Sequence, residues 1–220
     1  MISAPPPWTL NGHGYIFTYF FPQKFVEEHG CIPSQFHGEF TGWIGTMMLV
    51  DYQTSAVGPY QELLFIPGQF KLGVSQQRLY SITKIYVSTE ASVVNGQRNW
   101  GIPKELADFE FTDLGGGAEQ IRVSIGDMPV GEWTLKTRRI GIPITTSLLP
   151  ARWRTLAHER EDELYLTIPE ATGRLHLANV QQMTINADLF PDVSSLKPLA
   201  VVKAENFQMT FPSPVIKEVI

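Results

Sequence analysis

Residues 95–106, which read NGQRNWGIPKEL, decide how the rest of the chain is interpreted. The stretch places one lysine, Lys104, directly after an apolar run that contains glycine and proline. Pro103 fixes its own φ and drives the residue before it into an extended conformation, and glycine permits backbone shapes that other residues resist. Lys104 is therefore predicted to project from a defined turn with apolar neighbours.

This setting favours a nucleophilic amine. A desolvated ammonium loses its proton more easily, and a nearby cation such as Arg98 acts in the same direction. A neutral amine can attack a carbonyl and form a Schiff base. The alternative is a solvated surface lysine, with Pro103 in the first turn of a helix and Glu105 beside it. The local sequence leaves both interpretations open.

Length and composition favour a single, mostly β domain. The chain has 220 residues, 43% of them hydrophobic, together with 18 glycines and 16 prolines. Frequent turns with few helical patterns are typical of β proteins. We expect one domain over residues 1–220, in which the proline-rich residues 1–11 form an extended arm anchored by Trp8. No apolar run approaches the roughly 18 residues that span a bilayer, so no membrane partner is expected.

The net charge and the cysteine content exclude further classes of protein. The net charge of −5 argues against a nucleic-acid partner, and the densest basic cluster, residues 136–139, is predicted to cover an exposed strand end. The single cysteine, Cys31, excludes an internal disulfide framework. The N-terminus lacks the basic and apolar regions of a signal peptide, so a cytoplasmic protein is expected.

Apolar and β-branched segments recur along the chain and predict its strands. The predicted strands are residues 14–21, 42–52, 61–68, 79–88, 108–112, 120–125, 131–135, 163–168, 175–187 and 199–211, and the predicted short helices are residues 22–30 and 88–96. The loop 115–117 reads GGG and predicts a hairpin. Regular strand spacing with so few helices favours a closed or nearly closed β-barrel over a parallel sheet.

One carboxylate lies in an unusual place. Glu62 stands between Tyr60 and an apolar run that continues to Ile66. A carboxylate in a core strand costs free energy unless it has an ion-pair or hydrogen-bond partner or serves a chemical function. Glu62 is therefore either a functional group or a residue at the strand edge in water, since most glutamates are exposed.

Other common chemistries lack their sequence signatures. The five histidines form no zinc-ligand spacing, so no metal site is expected. The chain contains no Gly-x-Ser-x-Gly elbow, Rossmann fingerprint or P-loop, and no cofactor is expected.

The Lys104 segment resembles the active-site lysine motif of the acetoacetate decarboxylase family. Gly96 matches the first glycine of that motif, Gly101 its small residue, Pro103 its proline and Lys104 its Schiff-base lysine. Residues 60–62, Tyr-Gln-Glu, resemble the family's Tyr-x-Glu, and residues 207–212 resemble its last barrel strand.

The resemblance implies a fold, a reaction and a site. The implied fold is a mostly antiparallel β-barrel with a few short helices and an internal apolar cavity, often assembled into homo-oligomers. The implied reaction needs no cofactor and uses Lys104 as the nucleophile, with Glu62 in proton transfer. The residues expected to contact the substrate are Arg98, His13, Trp100 and Tyr60.

The sequence also departs from the family pattern. The family's second lysine is Glu105 here, its Arg-Glu is Gln97-Arg98, and its aromatic residue before the proline is Ile102. The family's N-terminal arginine falls on His13, and its second glutamate falls on residue 46 or 47. These changes leave Schiff-base chemistry in place and leave the identity of the substrate open.

The prediction is a lyase that decarboxylates a β-keto acid through an imine on Lys104. The same enamine supports aldol, retro-aldol and dehydration chemistry, so an aldolase or dehydratase is an alternative. A barrel that binds a small hydrophobic ligand without chemistry is a second alternative. A structural oligomer subunit has only the aromatic first strand and its arm in its favour.

Overall fold

A computed structural model describes residues 3–42, 44–73 and 76–218 of the chain. Its strands are β1 (Trp8–Phe20), β2 (Phe40–Gly42), β3 (Ile44–Thr54), β4 (Tyr60–Ile66), β5 (Gln69–Leu72), β6 (Gln77–Tyr80), β7 (Lys84–Val87), β8 (Lys104–Leu106), β9 (Asp108–Gly115), β10 (Ala118–Ile125), β11 (Met128–Thr145), β12 (Leu156–Arg160), β13 (Glu163–Thr167), β14 (Glu170–Ile185), β15 (Ala200–Phe211) and β16 (Val215–Glu218). Its α-helices are α1 (Gln23–His29) and α2 (Glu90–Trp100). Within these residues, neither helix has the length and apolarity that crossing a bilayer requires.

The strands form two sheets. The larger has ten strands in the order β8-β7-β4-β3-β1-β15-β14-β11-β10-β9 and curls strongly into a half-barrel. The smaller has six strands in the order β16-β13-β12-β6-β5-β2. Neighbouring strands are antiparallel except for the pairs β7–β8 and β12–β6. The mostly β, predominantly antiparallel architecture predicted from the sequence is confirmed.

Strand β1 separates two apolar cores. Side chains of a strand alternate between its faces, so Tyr15, Phe17 and Tyr19 pack together into one core. Trp8 and Leu10 pack into the other core, which also contains residues of β3, β4, β7 and α2. The predicted arm was too long, because β1 already begins at Trp8 and pairs with β15 from there.

Helix α2 is longer than predicted. Thr89 caps its N-terminus by accepting a hydrogen bond from the amide of Ser92. The helix passes through Gly96, where it was predicted to stop, and ends at Gly101, whose left-handed φ of 66° favours glycine. The amide of Gly101 donates to the carbonyl of Gln97 and closes the last turn. Gly96 therefore lies inside the helix, on a face that packs against other elements.

The predicted strand 79–88 is divided between the two sheets. Its first part belongs to β6 in the small sheet, and its second part is β7 in the large sheet. Ile82 and Thr83 lie between them, and their hydrogen bonds go to other elements, the amide of Ile82 to His158 and the hydroxyl of Thr83 to the carbonyl of Gly30. These long-range hydrogen bonds fix the segment that connects β6 in the small sheet to β7 in the large sheet.

Later strands are longer than the sequence indicated. Residues 136–139 were predicted as a strand end, but they lie in the middle of the 18-residue β11. The register of β11 against β14 shifts between Thr137 and Gly141, which marks a bulge. The predicted hairpin at residues 115–117 is present, and all three glycines have positive φ.

Candidate active site

A cavity of about 340 Å³ lies beside the core that contains Trp8 and α2. Its wall is predominantly apolar. The residues that line it are Trp8, Leu10, Ile44, Thr46, Met48, Tyr52, Tyr60, Glu62, Leu64, Ile66, Tyr80, Ile82, Ile85, Trp100, Ile102, Lys104, Thr146, Trp153, Arg154, Leu156, Pro169, Ala171, Met209 and Phe211. A small, mostly apolar cavity with a few polar groups is the usual form of a small-molecule site.

Lys104 lies in the buried part of this cavity and is 5% exposed. Its Nζ donates to Oε2 of Glu62 at 3.0 Å, to Oγ of Ser92 at 3.1 Å and to the hydroxyl of Tyr60 at 3.5 Å. A buried amine needs such partners, because an uncompensated charge in an apolar interior is expensive. The three groups hold Nζ at a defined point of the cavity wall.

The backbone around Lys104 is strand, not helix. Lys104 begins β8 and pairs in parallel with Ile85 of β7. The side-chain amide of Gln97 donates to the carbonyl of Lys104 at 2.8 Å, which ties β8 to helix α2. The alternative in which Pro103 starts a helix is therefore wrong. An extended backbone directs the lysine side chain to one face of the sheet, and that face borders the cavity.

Helix α2 packs tightly on the lysine side chain. A Cβ atom built on Gly96 would lie 2.6 Å from Cδ and 2.8 Å from Cε of Lys104. Only glycine lets the helix approach so closely. The first glycine of the sequence motif therefore has a physical role, which is to make room for the aliphatic stem of the lysine.

Glu62 lies inside the protein. It is 4% exposed and lies on β4, and Leu64 and Ile66 of the same strand also line the cavity. Its Oε2 accepts from Lys104, and its Oε1 accepts from the hydroxyl of Tyr52 at 3.4 Å. The alternative in which Glu62 sits at a strand edge in water is wrong.

Two tyrosines flank this carboxylate. The rings of Tyr52 and Tyr60 lie 4.8 Å apart. Burial raises the pKa of Tyr60 well above its ordinary value, and the negative charge of Glu62 raises it further. The pKa of Tyr52 is raised by the same two causes in the same order. Both phenols stay neutral, so they serve as hydrogen-bonding groups and not as bases.

Trp100 forms an apolar part of the wall, and it is 2% exposed. Its ring makes edge-to-face contacts with Trp8 and Phe211, each at 4.9 Å between ring centres. Its indole N–H donates to the carbonyl of Pro212 at 2.7 Å. Because that donor is satisfied, Trp100 offers only an apolar surface to a ligand.

Two of the four expected substrate contacts lie elsewhere. Arg98 is exposed on α2 and does not line the cavity. His13 lies 3.8 Å from Oε1 of Glu119 and 3.9 Å from Asp51, beside the other core. Burial alone would raise the pKa of Glu119, but His13 and Lys203 lower it to about 2. His13 therefore belongs to a charge network on the opposite face of β1.

The sequence did not reveal three polar groups in or beside the cavity. Ser92 and Tyr52 bond directly to this pair, and Arg154 lines the same cavity. Ser92 precedes Gly96 by four residues, so the two share a helix face, and this spacing was the available signal. Arg154 follows a short 3-10 turn with no periodicity. No sequence pattern indicated that Arg154 lines the cavity.

A buried histidine lies near Lys104 without contacting the cavity. Nε2 of His158 accepts from the amide of Ile82 at 3.3 Å, which places the ring proton on Nδ1, and Nδ1 has no partner in the described part of the chain. Burial lowers the pKa of His158 to about 3, and the charge of Lys104 acts in the same direction. His158 therefore stays neutral at physiological pH.

The groups in the cavity suit chemistry on a carbonyl compound. A primary amine lies against a carboxylate, and two neutral hydroxyl groups adjoin the amine. Proton transfer across the 3.0 Å contact between Nζ and Oε2 yields a neutral amine and a carboxylic acid. A neutral amine can attack a carbonyl carbon, and the acid can return the proton. Among the described residues, no three His, Cys, Asp or Glu side chains cluster where they could hold a metal ion.

Fold and cavity together define a class of β protein in which a curled sheet encloses a small-molecule-sized cavity. Solved structures of this class are similar to the chain over nearly its whole length. The acetoacetate decarboxylase of Legionella pneumophila shares 13% identity at a TM-score of 0.73, covering 97% of this chain and 88% of that one. An acetoacetate decarboxylase-like enzyme of Sphingomonas wittichii RW1 shares 11% identity at a TM-score of 0.67, covering 100% and 95%. The enduracididine biosynthesis enzyme MppR, solved with pyruvate, shares 15% identity at a TM-score of 0.63, covering 100% and 92%.

The chain thus has the acetoacetate decarboxylase-like fold. No family model matches its sequence, and no curated protein matches it. The resemblance predicted from the sequence is confirmed at the level of the fold, with the low identity of a divergent chain.

Proposed function

We propose that this protein is a Schiff-base-forming lyase that decarboxylates a β-keto acid through an imine on Lys104. One observation carries the proposal. Nζ of Lys104 lies 3.0 Å from Oε2 of Glu62, both side chains are buried, and both line a cavity that is otherwise mostly apolar. The fold likeness to acetoacetate decarboxylases supports this reaction class.

The first step forms the imine. Glu62 takes a proton from the ammonium of Lys104, and the neutral amine attacks the ketone carbon of the substrate. The carbonyl oxygen becomes a hydroxyl group by taking a proton from the attacking nitrogen. It then leaves as water after taking the proton that Glu62 holds, which gives a protonated imine and returns Glu62 to its carboxylate form. Tyr60 and Ser92 keep Nζ in place during these changes, since each lies within hydrogen-bond distance of it.

The second step releases CO2. The bond between the α-carbon and the carboxylate carbon breaks, and its electron pair moves toward the protonated imine nitrogen to give a neutral enamine. Negative charge on the carboxylate disappears in this step. The apolar wall, which includes Trp100 and Leu64, favours that loss because it solvates a carboxylate poorly.

The third step restores the enzyme. Glu62 takes up a proton from solvent and delivers it to the enamine carbon, which restores the protonated imine. Water then hydrolyses this imine to release a ketone and the ammonium form of Lys104. Positioned acid–base groups of this kind contribute roughly 10²- to 10⁴-fold in rate. Glu62 thus acts first as the base and later as the acid.

Aldol or dehydration chemistry is the second candidate, because it passes through the same enamine. Its specific support is MppR, which has been solved with the condensation product of pyruvate and imidazole 4-carboxaldehyde. A site of this fold can therefore hold a larger carbonyl compound. Exchange of α-hydrogens of a ketone for solvent deuterium, without CO2 release from any keto acid, would favour this candidate.

A panel of β-keto acids of increasing chain length tests the decarboxylase proposal. CO2 release is measured for the native protein, for Lys104→Met and for the matched control Lys84→Met on neighbouring β7. We expect release by the native protein and by the control, and none by Lys104→Met. Turnover retained by Lys104→Met would refute the proposal.

A further inference from the structure

The charges that line the cavity do not balance. The lining contains one acidic side chain, Glu62, and two basic ones, Lys104 and Arg154. Lys104 and Glu62 pair with each other at 3.0 Å. The carboxylate partner of Arg154 is Glu170, which is 60% exposed and does not line the cavity. Among the described residues that line the cavity, the positive charge of Arg154 therefore has no counterion of its own.

The guanidinium of Arg154 is held in place by three hydrogen bonds to residues outside β8 and α2. Its Nε donates to the carbonyl of Leu149 at 3.2 Å, and its Nη1 donates to the carbonyl of Pro169 at 3.0 Å. Nη1 also donates to Glu170 at 3.3 Å, and the arginine side chain is only 12% exposed. Its Nη2 has no hydrogen-bond partner among residues 3–42, 44–73 and 76–218. A fixed guanidinium with free donors suits a carboxylate ligand.

Arg154 and Lys104 belong to different parts of the cavity wall. Lys104 lies on β8, whereas Arg154 is bonded to the start of β14, and five strands separate these two in the curled sheet. The lysine end is buried, whereas Trp153 beside Arg154 is 44% exposed. The wall near Arg154 is therefore closer to solvent than Lys104 is. Leu64 of β4 and Met209 of β15, two strands that lie between β8 and β14 in the sheet order, contribute apolar side chains to the same wall.

The position of Arg154 relative to Lys104 determines which carboxylate of a substrate the guanidinium can bind. A carboxylate that pairs with a guanidinium is stabilised in its charged form, which opposes loss of CO2 from that group. A cation remote from the reacting amine is therefore expected to bind a carboxylate that the product retains. The apolar surroundings of Lys104 are expected to receive the carboxylate that leaves as CO2.

We propose that Arg154 is a specificity-determining residue that binds a second, distal anionic group of the substrate. Resting on the proposed function, this assigns the substrate class as an aliphatic β-keto acid that carries another carboxylate at the far end of its chain. The carbonyl lies at Lys104, the chain lies along the apolar wall, and the retained carboxylate lies at Arg154.

Ligands without a carbonyl test the anion subsite apart from Schiff-base chemistry. Octanoate and 1-octanol have the same chain length and differ in charge, and Trp153 and Trp100 in the wall report binding by fluorescence. We expect Arg154→Gln to weaken octanoate binding by roughly 10- to 100-fold, the range for a lost hydrogen bond to a charged group, and to leave 1-octanol unchanged. Arg154→Lys, which keeps the charge, should restore part of the octanoate affinity.

Glu170→Gln is the matched control. It removes the competing carboxylate outside the cavity, so octanoate binding should stay the same or tighten. Equal binding of octanoate by the native protein and Arg154→Gln would overturn the anion subsite. An equal loss of octanoate and 1-octanol would do so as well, because it would show a purely structural role.

A covalent readout tests the substrate class. 8-Oxononanoate and 2-nonanone are each reduced onto the protein with borohydride, and the adduct on Lys104 is quantified. We expect the acid to be trapped at lower concentration than the ketone, and Arg154→Gln to remove that difference. Trapping of the ketone without preference for the acid refutes this inference alone. Absence of any adduct with either compound refutes the proposed function, and the substrate assignment falls with it.

Discussion

A Cβ atom on Gly96 would lie 2.6 Å from Cδ of Lys104, so the lysine side chain occupies the space that a side chain at position 96 would need. We expect Gly96→Ala to displace Nζ of Lys104 from Glu62. Misplacement of a reacting group by about 1 Å can cost about 100-fold in rate, and turnover should fall by that order.

Gly96→Ala should lower the melting temperature less than it lowers turnover. Alanine is favoured over glycine inside a helix by about 1 kcal/mol, which offsets part of the clash. The matched control is Val94→Ala, an exposed position on the same helix, which should keep both turnover and melting temperature. Full turnover in Gly96→Ala would show that the packing of α2 on Lys104 does not position the amine.

The second prediction concerns the free energy of unfolding of Glu62→Gln. This change leaves the buried ammonium of Lys104 without its counterion, which typically costs about 3–5 kcal/mol. Denaturant unfolding measures the loss. Glu105→Gln removes the carboxylate of the half-exposed pair with Lys84 and should cost no more than about 1 kcal/mol.

A double variant separates the two partners of the buried pair. Lys104→Met combined with Glu62→Gln removes both charges, so it should be more stable than Glu62→Gln alone. A double variant as unstable as the sum of the single changes would contradict a direct charge interaction in the folded protein.

The third prediction concerns acid stability and His158. Its pKa is 6.5 in the unfolded chain and about 3 in the fold, with burial as the main cause and Lys104 as the second. The unfolded chain therefore binds a proton more readily, and the stability present above pH 6.5 is lost as the pH falls toward 3. One group of this kind contributes up to about 5 kcal/mol to that loss.

Melting temperature measured between pH 7 and pH 4 tests this prediction in the native protein and in His158→Leu. The variant loses the hydrogen bond from Ile82, so it should be less stable at pH 7 but depend less on pH. An equally steep pH dependence in both proteins would mean that carboxylates elsewhere govern acid unfolding.

The fourth prediction concerns Tyr60→Phe. Burial and then Glu62 raise the pKa of this phenol, so it stays protonated across the working range. Its loss should lower turnover through poorer positioning of Lys104, by roughly tenfold, without moving the pH profile. A shift of the alkaline limb of the profile in Tyr60→Phe would assign the phenol an acid–base role instead.

The sequence predicted the central pair because both residues break ordinary patterns. Glu62 is a charge within an apolar strand, and Lys104 follows glycine and proline. Glu62 and Lys104 are 42 residues apart in the sequence, and strand β7 brings them together because it pairs with both β4 and β8. That long-range pairing was not readable from the sequence, although the resemblance to a known family implied it.

Arg98 and His13 were expected to line the cavity, and they lie outside it for different physical reasons. Arg98 was expected near Lys104 because the two are close in the sequence, in a segment that was not predicted to be helical beyond Gly96. The helix continues, and two residues of helix rotate a side chain by about 200°, which turns Arg98 away from the face that holds Gly96. His13 lies within a register shift between Gly12 and Gly14, and the face that a residue of a bulge occupies depends on pairing that a sequence does not display.

Trapping of the imine tests the proposed nucleophile most directly. The protein is incubated with acetoacetate and larger β-keto acids at several pH values, reduced with borohydride, digested and mapped by mass spectrometry. We predict an adduct on Lys104 that disappears in Lys104→Met and persists in Lys84→Met. No adduct on Lys104 with any carbonyl compound, at any pH, would contradict Schiff-base chemistry and favour a barrel that binds its ligand without reaction.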